Sequence, residues 1–129
     1  PMRNIIFLSI ACSWAENIKS SNIFIGANAI DYSGYPDCRE NFLDSFEKMI
    51  NLGSKTGSEG NMFKIHRPLV DMSKIEIIRL GHSLGLDYTN TISCYQATVD
   101  GKACGLCESC VFRKNAFIEN NLPDETIYI

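Results

Sequence analysis

Read for hydrophobic spacing, RNIIFLSIACSWAENIKS places Ile6, Ile10, Trp14 and Ile18 at helical intervals, with Phe7 and Ala11 widening the stripe. Its polar turns come late, so the pattern predicts a helix with much of its surface buried. SNIFIGAN is a short apolar run ending in Gly26, the pattern of a buried parallel strand. DYSGYPDC holds Gly34 and Pro36 close together and reads as a loop. RENFLDSFEKMINL sets Phe42, Phe46, Met49 and Ile50 on one helical face and is stopped by Gly53. SKTGSEGN reads as a polar, flexible surface connection, and MFKIHRPL as a strand closed by Pro68.

DMSKIEIIRLGHSLG opens on Ser73 as an N-cap, carries Ile75, Ile78 and Leu84 as apolar anchors, and closes at Gly85. Residues 86–94 are irregular, and ESCVFRKNAFIEN resumes a helix through Val111, Phe112, Ala116 and Phe117. Helix, strand, helix, strand, helix is the order of an α/β layered fold. Without a repeat, a low-complexity tract or a linker, residues 1–129 read as a single domain. A chain of 129 residues, 45% hydrophobic and 21% charged, can bury one core.

Charge narrows the partners. A net charge of -3 provides no global field toward nucleic acid or anionic membranes. No apolar run approaches the roughly 18 residues of a membrane span. The opening PMRN lacks the apolar core and cleavage site of a secretory signal. Proline ahead of Met2, followed at once by a helical pattern, leads to the expectation that further chain precedes it.

Four of the six cysteines fall within CYQATVDGKACGLCESC, as Cys94, Cys104, Cys107 and Cys110. A disulfide knot, an iron–sulfur cluster and a bound metal compete to explain them. Nothing marks export, and two cysteines separated by two residues are poorly placed to bond each other, which disfavours disulfides. Iron–sulfur runs share the C-x2-C-x2-C spacing, but they usually bring a second cluster or a following Cys-Pro, and neither is present. Four thiolates fill a tetrahedral zinc site and leave no open position, so a structural Zn²⁺ is expected, one per chain. Gly101 and Gly105 relieve crowding where backbone approaches the metal. The loop holds only Lys102 as a base, against Asp100 and Glu108, which favours a staple over a phosphate-binding finger. Of the remaining cysteines, Cys12 reads as a small buried apolar residue, and Cys38 lacks the base partner of a nucleophile. His66 and His82 lack metal-ligand spacing, and His82 reads as structural. Arg113 is expected to bond a carbonyl of the cysteine loop or to balance its thiolate charge, with a plain exposed helix arginine as the competing reading.

SGYPDCRENF, PLVDMSKIEIIRLGHSLGLDY, TISCYQ and ACGLCESCVFRKNAF, in this order, resemble the C-terminal part of the 7-cyano-7-deazaguanine synthase family. The resemblance covers essentially the whole chain. It implies a Rossmann-like adenine nucleotide α-hydrolase (PP-loop) fold, here its C-terminal portion with a zinc-stapled loop over residues 94–110 and a terminal helix. It implies an ATP-dependent ligase that converts 7-carboxy-7-deazaguanine and ammonia to the nitrile through adenylate and amide intermediates. A cytoplasmic homodimer with one zinc per subunit, without nucleic acid or membrane, is implied with it. That family's nucleotide loop, Ser-Gly-Gly-x-Asp-Ser, is absent from the sequence and would lie upstream of Pro1, so the 129 residues alone are expected to be inactive.

By the same resemblance Tyr35, Asp37 and Arg39 flank the base-binding pocket, with Gly34 allowing close backbone approach. Tyr35 can stack on a heterocycle and Asp37 can accept from its N–H groups, while the plainer reading makes Asp37 the cap of the helix beginning near Arg39. Arg3, Asn4 and Lys74 are implied to face the nucleotide, with helix capping and a solvated lysine as their plainer readings. Two alternatives of function stand beside this one: a non-catalytic zinc-stapled module binding nucleic acid or protein, and another PP-loop synthetase.

Overall fold

The computed structural model describes residues 2–29 and 35–129. Its elements are α1 (Arg3–Asn17), β1 (Asn22–Phe24), α2 (Glu40–Gly53), α3 (Lys55–Ser58), β2 (Lys64–His66), α4 (Lys74–Ser83) and α5 (Glu108–Glu119). Single 3-10 turns occur at Pro36–Cys38 and Tyr88–Asn90. A mixture of helices and a small parallel sheet places the chain in the α/β class: β1 pairs with β2, with Ile23 opposite Ile65. The described chain divides into two compact units, one up to Met72 and one from Ser73 to Ile129.

In the first unit the core is built from Leu8, Cys12 and Ala15 of α1, Ile23, Ala27, Leu43 and Phe46 of α2, Phe63 and Ile65. The face of α1 is therefore not the expected one. Ile6, Phe7, Ile10, Trp14 and Ile18 are exposed, Trp14 by 63%. Apolar residues surround this helix on most sides, so periodicity alone selects the bulkiest stripe. Packing selects the side where small Cys12 and Ala15 allow a close approach to the other elements. Cys12 is buried, as expected, and burial raises its thiol pKa.

On α2, Phe46 is buried and Phe42 and Ile50 pack beside it, but Met49 points to solvent. The strands are buried only at Ile23 and Ile65; Phe24 lies exposed, stacked on His66 with ring centroids 4.4 Å apart. SKTGSEGN is not a loose connection. It contains α3, whose N-cap Ser54 Oγ accepts from Gly57 N–H at 3.0 Å, and Glu16 of α1 accepts from Thr56 N–H at 2.7 Å. A Cβ at Gly57 would collide with the Asn51 backbone, and this close approach explains the glycine there. Buried Asn51 in turn brackets Phe63, donating to its carbonyl at 3.0 Å and accepting from its N–H at 2.7 Å, which sets the chain on course into β2.

The second unit begins with a reciprocal capping box: Ser73 Oγ accepts from Glu76 N–H, and Glu76 Oε2 accepts from Ser73 N–H at 2.7 Å. Ile78 of α4 then packs against Ala116 and Phe117 of α5, with Ile75, Tyr88 and Leu122 around them. Leu84 is no anchor; it follows the end of α4 and is exposed. Asn120 joins the two helices, donating to Ile75 O at 2.9 Å and accepting from Arg79 Nε at 3.0 Å.

Candidate metal centre and candidate substrate pocket

The cysteine loop folds so that backbone N–H groups surround its sulfurs. Gln96 and Cys104 N–H each donate to Cys94 Sγ at 3.3 Å, and Cys107 N–H donates to Cys104 Sγ at 3.3 Å. All four Sγ atoms lie within 4.8 Å of one another. Three of the separations are 3.4 Å (Cys107–Cys110), 3.9 Å (Cys107–Cys94) and 4.0 Å (Cys104–Cys110). A tetrahedron with metal–sulfur bonds of about 2.3 Å has edges of about 3.8 Å. The donor set thus fits one ion. It does not fit a disulfide, whose sulfurs stand about 2.05 Å apart, and all six cysteines are free. Nor does it suit a polynuclear cluster, where thiolates on separate irons must spread further apart. Among the described residues, Cys94, Cys104, Cys107 and Cys110 form the group able to hold a metal ion.

The thiols are prepared unequally. Backbone N–H groups of Leu106 and Cys107 pull Cys104 down to about 6, and the Cys110 N–H lowers Cys107. Burial, with thiol hydrogen bonds to Cys107 and Cys94, pushes Cys110 up to about 12. A cation among the four sulfurs would reverse that last shift, because a coordinated thiol gives up its proton.

Two supports differ from the sequence-based reading. Gly101 and Gly105 have φ of 82° and 71°, a left-handed backbone that favours glycine at both; at Gly101 a Cβ would meet nothing within 4 Å, while at Gly105 it would crowd Lys114 Nζ at 3.0 Å rather than the sulfurs. Arg113 neither bonds the cysteine loop nor lies exposed. It is 4% exposed, and its Nε donates to Asp124 Oδ1 at 2.9 Å while its other nitrogens reach Thr91 Oγ1 at 3.0 Å and Tyr88 O at 3.4 Å. A buried guanidinium needs a carboxylate, and the chain supplies one from beyond α5. The loop carbonyl is bonded instead by Lys114, whose Nζ donates to Gly105 O at 3.1 Å. Nothing in the cysteine spacing signals this lysine.

In the first unit, Tyr35, Asp37 and Arg39 line one open cavity of about 670 Å³. Met2, Ile5 and Phe42 give it apolar wall, and Asn41 and Ser45 add polar groups. Gly34 lies outside the described residues. Asp37, 7% exposed, accepts the Asn4 N–H on Oδ2 at 3.0 Å, while Asn4 Nδ2 donates to Asp37 O at 3.1 Å and to Cys38 Sγ at 3.2 Å. Asp37 therefore caps α1 across the fold. It does not cap α2, whose N-cap Arg39 makes no side-chain capping bond. Arg3 and Asn4 open α1 beside this turn. Lys74 is the first residue of α4, in the other unit. Burial raises the Cys38 thiol pKa despite the Asn4 bond. His66 is engaged with Asn22 Oδ1 at 2.8 Å, and His82 is exposed on the last turn of α4.

A family model described as "Queuosine biosynthesis protein QueC" matches residues 1–121. The chain belongs to the QueC family. This QueC-family chain is 54% identical over 128 residues to a 7-cyano-7-deazaguanine synthase of Nitrosomonas eutropha, covering 99% of the chain and 57% of that relative. The synthase of Dechloromonas aromatica matches at the same identity and coverage. That of Coxiella burnetii is 54% identical over 129 residues, the whole chain against 57% of the relative. The chain thus spans less than three-fifths of the length of the curated synthases it matches. No helix among the described residues is long and apolar enough to cross a membrane.

Proposed function

We propose that this chain is the zinc-carrying part of an ATP-dependent ligase that converts 7-carboxy-7-deazaguanine and ammonia to 7-cyano-7-deazaguanine. The carrying observation is joint: a chain 54% identical along its length to curated synthases holds both the tetrahedrally spaced sulfurs and a cavity lined by Tyr35, Asp37 and Arg39. In this reading ATP activates the substrate carboxylate as an adenylate with loss of pyrophosphate. Ammonia displaces AMP to give the amide; a second ATP then adenylates the amide oxygen with loss of pyrophosphate, and departure of AMP with loss of the nitrogen's protons forms the nitrile.

The open cavity suits a flat heterocycle. Tyr35 offers a stacking face, Arg39 a cation for the carboxylate, and Asp37 an acceptor for ring and amino N–H groups while it holds α1. Arg3 and Asn4 stand in the first turn of α1 and Lys74 in that of α4, positions whose partial positive charge favours anions, which supports a role toward the nucleotide although Asp37 already occupies the Asn4 N–H. Four thiolates favour Zn²⁺ as a structural ion, since no position remains for substrate. A PP-loop fold, a homodimer and a cytoplasmic enzyme complete the reading.

The test is to incubate the full-length protein that carries residues 1–129 with 7-carboxy-7-deazaguanine, ATP and ammonium and to follow the product by mass spectrometry. The expected result is an ATP-dependent nitrile, with Tyr35→Ala raising KM for the base. Zinc-loaded full-length protein that consumes no ATP with this substrate would overturn the assignment.

A further inference from the structure

Residues 122–129 contain no cysteine, yet they converge on the turn that carries two of the four. Ala103, directly before Cys104, donates its N–H to Ile127 O at 2.8 Å and accepts from Ile129 N–H at 3.0 Å, forming a parallel bridge with Tyr128. The Tyr128 ring closes over Gly105, where a Cβ would stand 3.3 Å from it. Lys114 Nζ lies 4.1 Å from that ring's centroid while bonding the Gly105 carbonyl.

The same segment is anchored to α5. Tyr128 Oη donates to Asp124 Oδ2 at 2.5 Å, and Asp124 Oδ1 accepts from the buried Arg113, three residues beyond Cys110. One short stretch thus grips both the Cys104–Cys107 turn and the helix that presents Cys110. An ion leaves such a site when a thiolate swings away, and Cys104 and Cys107 are less buried than Cys110.

We propose that Asp124 and Tyr128 are positioning residues, a clasp that holds the Cys104–Cys107 turn against α5 and slows release of the bound ion. This rests on the reading that the four cysteines hold one metal ion. Removing groups that support a ligand set typically costs about ten- to a hundredfold in metal affinity, and the clasp places that cost in the release rate.

The experiment loads the native protein with Zn²⁺ and follows its transfer to an excess chromogenic chelator, with Co²⁺ absorption as a second readout of ligand geometry. Tyr128→Ala is expected to release Zn²⁺ about ten- to a hundredfold faster. Tyr128→Phe keeps the ring and loses the bond to Asp124, so its rate should fall between. Ile127→Ala changes an exposed side chain and keeps the main-chain bridge, so it should release at the wild-type rate. Should Tyr128→Ala fail to fold, Tyr128→Phe decides. Release at the wild-type rate from the folded Tyr128 variants, even with a lowered Tm, would overturn the clasp while leaving the metal site standing. Wild-type protein that takes up no ion would overturn the metal reading and the clasp together.

Discussion

Cys107 does two jobs at one position. Its sulfur stands 3.4 Å from Cys110 Sγ, and its carbonyl accepts from Cys110 and Val111 N–H at 2.9 and 3.0 Å, starting α5. Cys107→Ser keeps the backbone and removes the soft ligand, so the protein should retain less than one equivalent of zinc and melt earlier, because metal binding and folding are coupled. Elemental analysis with circular dichroism checks this; iron with acid-labile sulfide in the wild type would reject zinc. Asp37 is similarly double. Asp37→Asn keeps an oxygen for the Asn4 N–H but loses the charge at the α1 N-terminus, for a cost of about 1 kcal/mol in stability. Affinity for 7-carboxy-7-deazaguanine should fall by about tenfold or more, the scale of a charge-assisted hydrogen bond. Thermal melts beside calorimetry separate the two effects: unchanged base affinity with a lowered Tm would leave Asp37 as a cap alone.

Helix α1 shows how an element can be predicted correctly and faced wrongly. Its length follows the apolar run, but Leu8, Cys12 and Ala15 are buried while the bulkier stripe meets solvent. The two faces make opposite predictions. Leu8→Ala should cost about 2–5 kcal/mol as a core truncation, whereas Trp14→Ala should change the stability of residues 1–129 by less than about 0.5 kcal/mol. Denaturant midpoints measure both, and the reverse order would restore the Ile6–Trp14 face to the core. By contrast α4 was legible at its start, since Ser73 and Glu76 cap it through contacts three residues apart. Its far end was not, because Leu84 belongs to the pattern yet lies past the last helical residue.

Across the whole chain, the Arg113–Asp124 pair makes stability depend on pH. Burial raises the Asp124 carboxyl, but hydrogen bonds from Tyr128, Thr126 and Arg113 outweigh it, leaving the pKa below its ordinary value. A carboxylate depressed on folding contributes its stability above the unfolded pKa, near 3.9, and loses it as pH falls through the folded value. Stability of the wild type should therefore drop below about pH 4, and Asp124→Asn should be destabilised at neutral pH and show a smaller acid loss; parallel curves would dismiss the pair. The absent Ser-Gly-Gly-x-Asp-Ser loop makes a second prediction at this scale: a polypeptide of residues 1–129 should bind zinc and form no nitrile from ATP, ammonia and the carboxylate. Turnover by that polypeptide, its mass confirmed, would place the nucleotide site among its own residues. The four-cysteine set, the α/β alternation and the Ser73 cap were legible in the chain, the first and last in spacings of a few residues and the alternation in the order of its apolar segments. The buried face of α1, the Asn4–Asp37 contact across 33 positions and the pairing of Arg113 with Asp124 emerged with folding. Those depend on which distant surfaces meet when the chain closes, and neither local periodicity nor residue type records that choice.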